Sequence, residues 1–403
     1  MEDWKTYKFT ELCTLIGGGT PKTSVASYWD GDIPWLSVKD FGNDEKYVYS
    51  TEKHISEAGL KNSSTKLLKR GDIIISARGT VGAMAVIHHP MAFNQSCFGI
   101  RANELVDADF LYYLTKTKIT ELQKNSHGSV FDTITRDTFE KISCTIPCIE
   151  VQKKIAVTLS SIDDKIALNN RINHNLEEQA QALYKSWFVD FEPFKGGKFV
   201  DSELGLIPEG WRVGKVRDLI DIQSGFAFKS DTFVPSGRYR LITIKAVQDG
   251  YLTTYGADYI DNPLPAKMPE YCKLALGDIL LSLTGNVGRI CIVDDVNLLL
   301  NQRVAKLQPI NVADRAFVYT LFRNMSFREQ VVQLARGTAQ LNLSPVETGE
   351  LSLCIPSRNV LQQFADITMP LFEEILSNSL ANKRLELIRD SVLPKFMYAK
   401  LTC

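Results

Sequence analysis

Eight cysteines and five histidines are the first places to look for metal or redox chemistry in this 403-residue chain. Cys13, Cys97, Cys144, Cys148, Cys272, Cys291, Cys354 and Cys403 include no Cys-x-x-Cys pair, and no histidine joins them at zinc-ligand spacing. No metal is expected, and buried reduced thiols are. Asn262-Pro263-Leu264-Pro265 lacks the adjacent proline and the aromatic of an Asn-Pro-Pro-aromatic amino-methylation motif. Gly17-Gly18-Gly19 runs into Thr20-Pro21 and no helix, so it is a poor cofactor loop. Gly196-Gly197-Lys198 lacks both the upstream glycine of a phosphate loop and the hydroxyl residue after its lysine. Asp163-Asp164-Lys165 lies within a helical stretch and reads as its solvated face. With these motifs unmatched, motor and chemistry are expected to come from other chains, and no cofactor is expected in this one.

The length suggests two or three domains at roughly 150 residues each. Hydrophobic residues at 44% and charged residues at 23% describe a globular protein, and no apolar run reaches the ~18 residues of a membrane span. Residues 1–10 lack the basic-then-apolar layout of a signal peptide, so a cytoplasmic location without membrane contact is expected. Net charge is −1, which argues against a freestanding basic nucleic-acid binder; any DNA binding must be local or shared with a partner.

The chain is internally duplicated. Gly-Asp-Ile-Ile-Ile-Ser-Ala-Arg-Gly-Thr-Val-Gly at 71–82 returns as Gly-Asp-Ile-Leu-Leu-Ser-Leu-Thr-Gly-Asn-Val-Gly at 277–288, a shift of 206. Asn94-Gln95 returns as Asn301-Gln302, and Trp4 and Leu12 ahead of Gly18 return as Trp211 and Leu219 ahead of Gly225, at 207. Gly128 corresponds to Gly337, and Ile146-Pro147 to Ile355-Pro356, at 209. Only three residues of drift accumulate over nearly the whole unit. Within each copy, short β-rich runs such as 73–76 and 279–283 end at glycine turns, and a helical stretch follows at 110–122 and 317–334. After Ile-Pro the pattern turns to helix.

From Ile155 the apolar spacing alternates four and three: Ile155, Leu159, Ile162, Ile166, Asn169, Asn173, Leu176, Ala180, Leu183, Trp187. This heptad seam spans about 50 Å at about 1.5 Å per residue. A weaker copy follows at Phe364, Thr368, Leu371, Ile375, Asn378, Asn382, Leu385, Arg389, Val392 and Phe396, with Pro370 expected to start or kink the helix and Pro394 to bend its last turn. Equivalent units tend to pack about a two-fold axis, which makes their helices antiparallel. Asn169 then faces the level of Asn382, and Asn173 that of Asn378; seam asparagines fix register because a slip leaves an amide unpaired. These four are expected near the middle of an antiparallel coiled coil with pseudo-two-fold symmetry. The aromatic stretch 187–194 has no equally apolar copy after Phe396, and packing on the second domain and docking of a partner both stand as readings.

This order of features resembles the specificity subunit of type I restriction-modification enzymes. Two variable domains each close on Ile-Pro and run into a long helix, with Gly-Asp-Ile-(Ile/Leu)-(Ile/Leu)-Ser, Asn-Gln and Leu-Tyr-Lys-Ser-Trp-Phe-Val-Asp-Phe (183–191), and the resemblance covers essentially the whole chain. It implies an α+β fold of two tandem α/β target recognition domains with mixed sheets, at 1–149 and 193–357. They alternate with long helices at 150–192 and 358–403. It also implies that each domain reads one half of a split double-stranded DNA site while the helices set the unread gap. The helices would dock two modification (adenine methyltransferase) subunits, to which two restriction subunits are added. Catalysis, S-adenosylmethionine, ATP and Mg would belong to those partners.

The two copies share a framework, so equivalent loops whose side chains differ are candidates for base reading, and shared positions such as Gly71, Asp72 and Gly82 for turn geometry. Loops carrying Arg, Lys, Asn, Gln, Ser or Thr supply the side chains that reach phosphates and base edges. In the first copy these are Thr20, Lys22, Lys39, Arg78, Thr80, Ser129 and Arg136. In the second they are Lys229, Lys245, Asn286, Arg289, Arg336, Thr338, Gln340 and Asn342. Different side chains in the two sets predict an asymmetric target. The competing class is a scaffold whose two domains bind proteins, with the coiled coil as spacer; it would lack the steep salt dependence of a DNA reader.

Overall fold

Four consecutive residues of Ile73–Ser76 are buried, and so are all four of Ile279–Ser282, where a half-exposed strand would alternate. The reason is a sheet covered on both faces. Ile73 and Ile75 join a cluster with Phe110, Leu111 and Leu114 of the helix Ala108–Asn125, whereas Ile74 joins Leu36, Met91 and Phe93 on the opposite side. In the second copy Ile279 and Leu281 pack with Phe317 and Phe364, while Leu280 packs with Ile242 and Leu300.

The computed structural model describes residues 4–42, 45–125, 133–337 and 340–398. It forms two compact units: unit 1 takes the described residues up to Leu168 together with those from Asn382 on, and unit 2 takes Asn169–Ala381. Unit 1 has a five-stranded sheet ordered Cys13–Gly17, Cys97–Ala102, Ile73–Ser76, Met84–Ile87, Tyr47–Val48. Its four-stranded sheet is ordered Lys53–Ile55, Trp29–Leu36, Met91–Phe93, Leu67–Leu68. Unit 2 repeats the plan with Ile220–Ser224, Val304–Pro309, Ile279–Ser282, Ile290–Ile292, and with Tyr259–Ile260, Tyr239–Ile242, Leu298–Leu300, Lys273–Leu274. The sheets are mixed: Trp29–Leu36 runs parallel to Met91–Phe93, and Tyr239–Ile242 parallel to Leu298–Leu300, among antiparallel neighbours. The repeated Gly-Asp pair turns the chain into the central strand. Gly71 and Gly277 have φ of +88° and +82°, a region that favours glycine. Asp72 and Asp278 accept the backbone N–H of Lys69 and Ala275 and pair with Arg101 and Lys306.

The helices depart from expectation in three places. The stretch 317–334 is two helices, Arg315–Arg323 and Met325–Gln333, because the Asn324 side chain caps the second by accepting from Phe327 N. The second long helix begins at Arg358 and runs to Tyr398, so Pro370 does not start it, and Pro394 lies within its last turns. Pro370 takes away the N–H that the Asp366 carbonyl would accept, but both residues are exposed, so water can replace that bond. Asp163 is not on a solvated face. It is 4% exposed, pairs with Arg389 at 2.7 Å and accepts the Tyr113 hydroxyl; only its neighbours Asp164 and Lys165 are exposed.

Within each unit the long helices, Ile149–Tyr184 and Arg358–Tyr398, run antiparallel. In unit 1, Ile155 and Leu159 share a core with Met397 and Leu393, and Asp163 meets Arg389. In unit 2, Asn378 donates its amide to Asn173 Oδ1 at 3.0 Å, and Asn173 Nδ2 donates to Ile375 O and Ser379 Oγ. Asn169 and Asn382 are 0% and 6% exposed. The aromatic stretch packs inside unit 2: Trp187 and Phe188 meet Phe364, and Phe191 and Phe194 meet Trp211.

Each globular part is fastened to the first long helix by a tyrosine of the helix that follows the sheet, one residue out of step between the copies because Tyr319 aligns with Tyr112 and Thr320 with Tyr113. Tyr113 donates to Asp163 and Tyr319 to Glu177. Burial, and then the neighbouring carboxylate, raises both phenols above their ordinary range, so they stay donors. Lys46, 5% exposed, adds bonds to Asp109 at 2.8 Å and Ser160 at 2.7 Å in unit 1; Arg323 bridges Glu177 and Asp249 in unit 2.

Candidate nucleic-acid interface

Parallel strands bring their carboxyl ends together, and the second sheet of each unit has one such pair. In unit 1 Asn94 N donates to Leu36 O at 3.0 Å just past the ends of Met91–Phe93 and Trp29–Leu36. The glycine loop crosses this point: Gly19 N donates to Phe93 O at 2.9 Å, and a Cβ on Gly18 would lie 2.0 Å from Asn94 O. The turn that follows Ile73–Ser76 joins them, because Ala77 N donates to Ser96 O at 2.8 Å and Ala77 O accepts Ile134 N at 3.0 Å. Loops 18–22, 37–40, 77–82, 94–96 and 133–136 therefore meet at one end of the unit.

Unit 2 builds the same place with different side chains. Asn301 N donates to Ile242 O at 3.1 Å, Gln302 N to Phe226 O at 3.0 Å, and a Cβ on Gly225 would lie 2.2 Å from Asn301 O. Leu283 N donates to Arg303 O and accepts, through its carbonyl, Leu343 N at 2.8 Å. Thr284 Oγ1 donates to Asn342 Oδ1 at 2.9 Å, and Arg303 reaches Gln340 Oε1 at 3.3 Å. Ser76 and Ser282 brace the two central turns alike, donating to Thr80 O and Asn286 O.

The candidate residues divide by what their side chains already do. Lys22, Lys39 and Arg78 are exposed and make no ion pair among the described residues, as are Lys229 and Lys245. Thr80 and Asn286 are exposed at the tips of the central turns, and Thr20 Oγ1 bonds Gln95. Gln340 and Asn342 are exposed but tied to Arg303 and Thr284. Arg136 donates to Leu15 O at 3.0 Å and lies over Phe98, Arg289 donates to Gln248 at 2.7 Å, and Arg336 pairs with Glu347 at 2.8 Å. Arg136 and Arg289 thus bond the scaffold, while the Arg336 ion pair lies at the surface with the Arg336 side chain 82% exposed. Ser129 and Thr338 lie outside the described residues. Gln95 in the cluster of unit 1, and Gln302 and Arg303 in that of unit 2, are exposed and were not among the candidates; the recurrence of Asn-Gln was the available signal.

The arrangement offers unpaired cations, amides and hydroxyls on braced loops, which suits phosphate oxygens and base edges. Among the described residues no group of three His, Cys, Asp or Glu side chains could hold a metal, and no helix is long and apolar enough to cross a membrane. None of the seven described cysteines is in a disulfide, and burial pushes the Cys13 and Cys97 thiols up to about 12, far from a reactive thiolate. Gly18→Ala should lower stability by about 1–3 kcal/mol by forcing the two backbones apart. Gly17→Ala, where a Cβ meets nothing within 4 Å, is the control; equal urea midpoints for the two variants would refute the close-approach account.

Residues 1–178 and 208–386 both match the family described as type I restriction modification DNA specificity domain. The MjaIX specificity subunit of Methanocaldococcus jannaschii is 31% identical over 99% of this chain and 94% of the relative. The HindI specificity subunit of Haemophilus influenzae is 24% identical over the full length of both. Among solved structures, the type I restriction-modification S subunit from M. genitalium superimposes with a TM-score of 0.53 at 15% identity, covering 100% of this chain and 97% of that one, a likeness of fold. The duplicated domain is thus a DNA specificity domain by class. The chain belongs to the type I restriction-modification specificity subunits.

Proposed function

We propose that this chain reads an asymmetric, split double-stranded DNA site for a type I restriction-modification enzyme. Each globular domain, 1–149 and 193–357, reads one half. The helices at 150–192 and 358–403 set the unread gap, with Asn169, Asn173, Asn378 and Asn382 fixing their register; the Asn173–Asn378 hydrogen bond supports that role. The same helices dock two modification methyltransferase subunits, and two restriction subunits join the assembly. The chain itself carries no catalytic group, and S-adenosylmethionine, ATP and Mg serve the partners.

One observation carries this reading: the same loop cluster is built twice on a shared backbone but furnished differently. Thr20, Arg78, Thr80 and Ser96 in one copy stand where Ala227, Thr284, Asn286 and Arg303 stand in the other. Lys22, Lys39, Arg78, Lys229 and Lys245 meet phosphates, while the amides and hydroxyls meet bases. With a net charge of −1, non-specific affinity must come largely from the partner subunits.

Methylation mapping of DNA exposed to the chain assembled with its modification subunit tests this. The expected result is a target of two different half-sites separated by unread bases, bound with affinity that falls steeply with salt. A continuous or palindromic target would overturn the asymmetric reading; salt-independent behaviour with no sequence preference would leave the protein-binding scaffold.

A further inference from the structure

Most of what the two loop clusters share is scaffold. Gly18 and Gly225 allow the backbone crossing, and Asn94 and Asn301 are fixed by main-chain bonds to Leu36 and Ile242. Gln95 and Gln302 do not fit that description. Both are exposed. The Gln302 amide has no hydrogen bond among the described residues, and the Gln95 amide bonds only the Thr20 hydroxyl. Their side chains support nothing, yet the identical residue departs from the same clamped backbone position in both copies, while its neighbours change from Ser96 to Arg303 and from Thr20 to Ala227. In a cluster where differing side chains read what differs, an identical exposed one suits a feature that the two half-sites share.

We propose that Gln95 and Gln302 make the same contact in their respective half-sites, a bidentate amide pairing with the major-groove edge of an adenine. The inference rests on the DNA-reading function proposed above. A terminal amide holds a donor and an acceptor side by side, which matches adenine N7 and N6–H. A phosphate presents acceptors alone and would use half of that group. At Gln95 the Thr20 hydroxyl takes one lone pair of Oε1, leaving the second lone pair and both N–H bonds for the base. The adjacent Arg78 or Arg303 then reads or anchors what is particular to each half.

The test uses the full chain assembled with its modification subunit, titrated against duplexes bearing the target and every single base-pair change. Gln95→Leu should weaken cognate binding roughly 5- to 150-fold and abolish discrimination at one A·T pair in one half-site only, without changing the salt slope. Gln302→Leu should do the same in the other half. Gln95→Glu and Gln302→Glu, nearly isosteric and so the safer variants for folding, should move the preference at those pairs from adenine to cytosine, whose N4 amino group donates to a carboxylate. Unchanged cognate affinity, uniform weakening with a shallower salt slope, or glutamate variants that keep their adenine preference would each overturn the inference. If the wild-type assembly is sequence-specific and the glutamine variants are too, at unchanged bases, only this inference fails. A wild-type assembly without sequence preference removes the proposed function as well.

Discussion

Arg389→Met should lower the stability of unit 1 by about 3–5 kcal/mol, because it leaves the Asp163 carboxylate charged, buried and facing only a phenol. Arg389 is 7% exposed and donates to Asp163 at 2.7 Å and to its neighbour Asp390 at 2.9 Å. Burial alone would lower its pKa, but the Asp390 hydrogen bond and the Asp163 charge hold it above the ordinary arginine value, so the guanidinium stays charged at any working pH. The penalty is one of abandonment, not of a strong bond lost. Replacing both partners, Asp163→Leu with Arg389→Met, should therefore recover most of the stability or exceed it. Hydrogen-exchange protection along Ala108–Asn125 reads the effect. A single variant that loses under 1 kcal/mol, or a double variant no better than the single, would refute it.

Phe364→Ala should destabilise unit 2 by a similar amount, about 3–5 kcal/mol. The ring is 0% exposed and sits 4.8 Å from Phe188, 5.7 Å from Trp187 and 6.1 Å from Phe317, centroid to centroid. Its removal leaves a cavity where helix and globular part join. Trp187 and Trp211 are the tryptophans of this unit and both belong to the same aromatic group, so a urea titration followed by their fluorescence reports it. Leu387→Ala, at a side chain 72% exposed, should change stability by under about 0.5 kcal/mol. Comparable losses for the two variants would contradict the burial argument.

The duplicated strands and the Gly-Asp turns were legible because their causes are local: runs of β-branched and aliphatic residues, a glycine, a short side chain accepting a nearby N–H. The pairing of Asn173 with Asn378 was legible because periodicity carries it. Asp163 was misread for the opposite reason. Its partner lies more than two hundred positions later, and an acidic residue beside Asp164 and Lys165 has no local mark of burial. Pro370 was misread as a helix start because a proline penalty depends on whether the freed carbonyl meets water, which is a property of the packed helix. The site was half legible. Candidate loops could be chosen by composition, but only tertiary contacts show that Arg136, Arg289 and Arg336 each have a partner within the chain and that Gln95 stands beside Thr20.

Unit 1 is assembled from two stretches of chain with all of Asn169–Ala381 between them. A ribosome adding about 5–20 residues per second delivers the second stretch roughly ten to forty seconds after the first. During that interval Ile155, Leu159 and Asp163 have neither Leu393 and Met397 nor Arg389 to cover them, whereas unit 2 is continuous and can close as soon as it emerges. The domain made first is thus the one finished last, and the newborn chain passes through a stage in which a half-complete apolar helix face waits for residues that have yet to be translated.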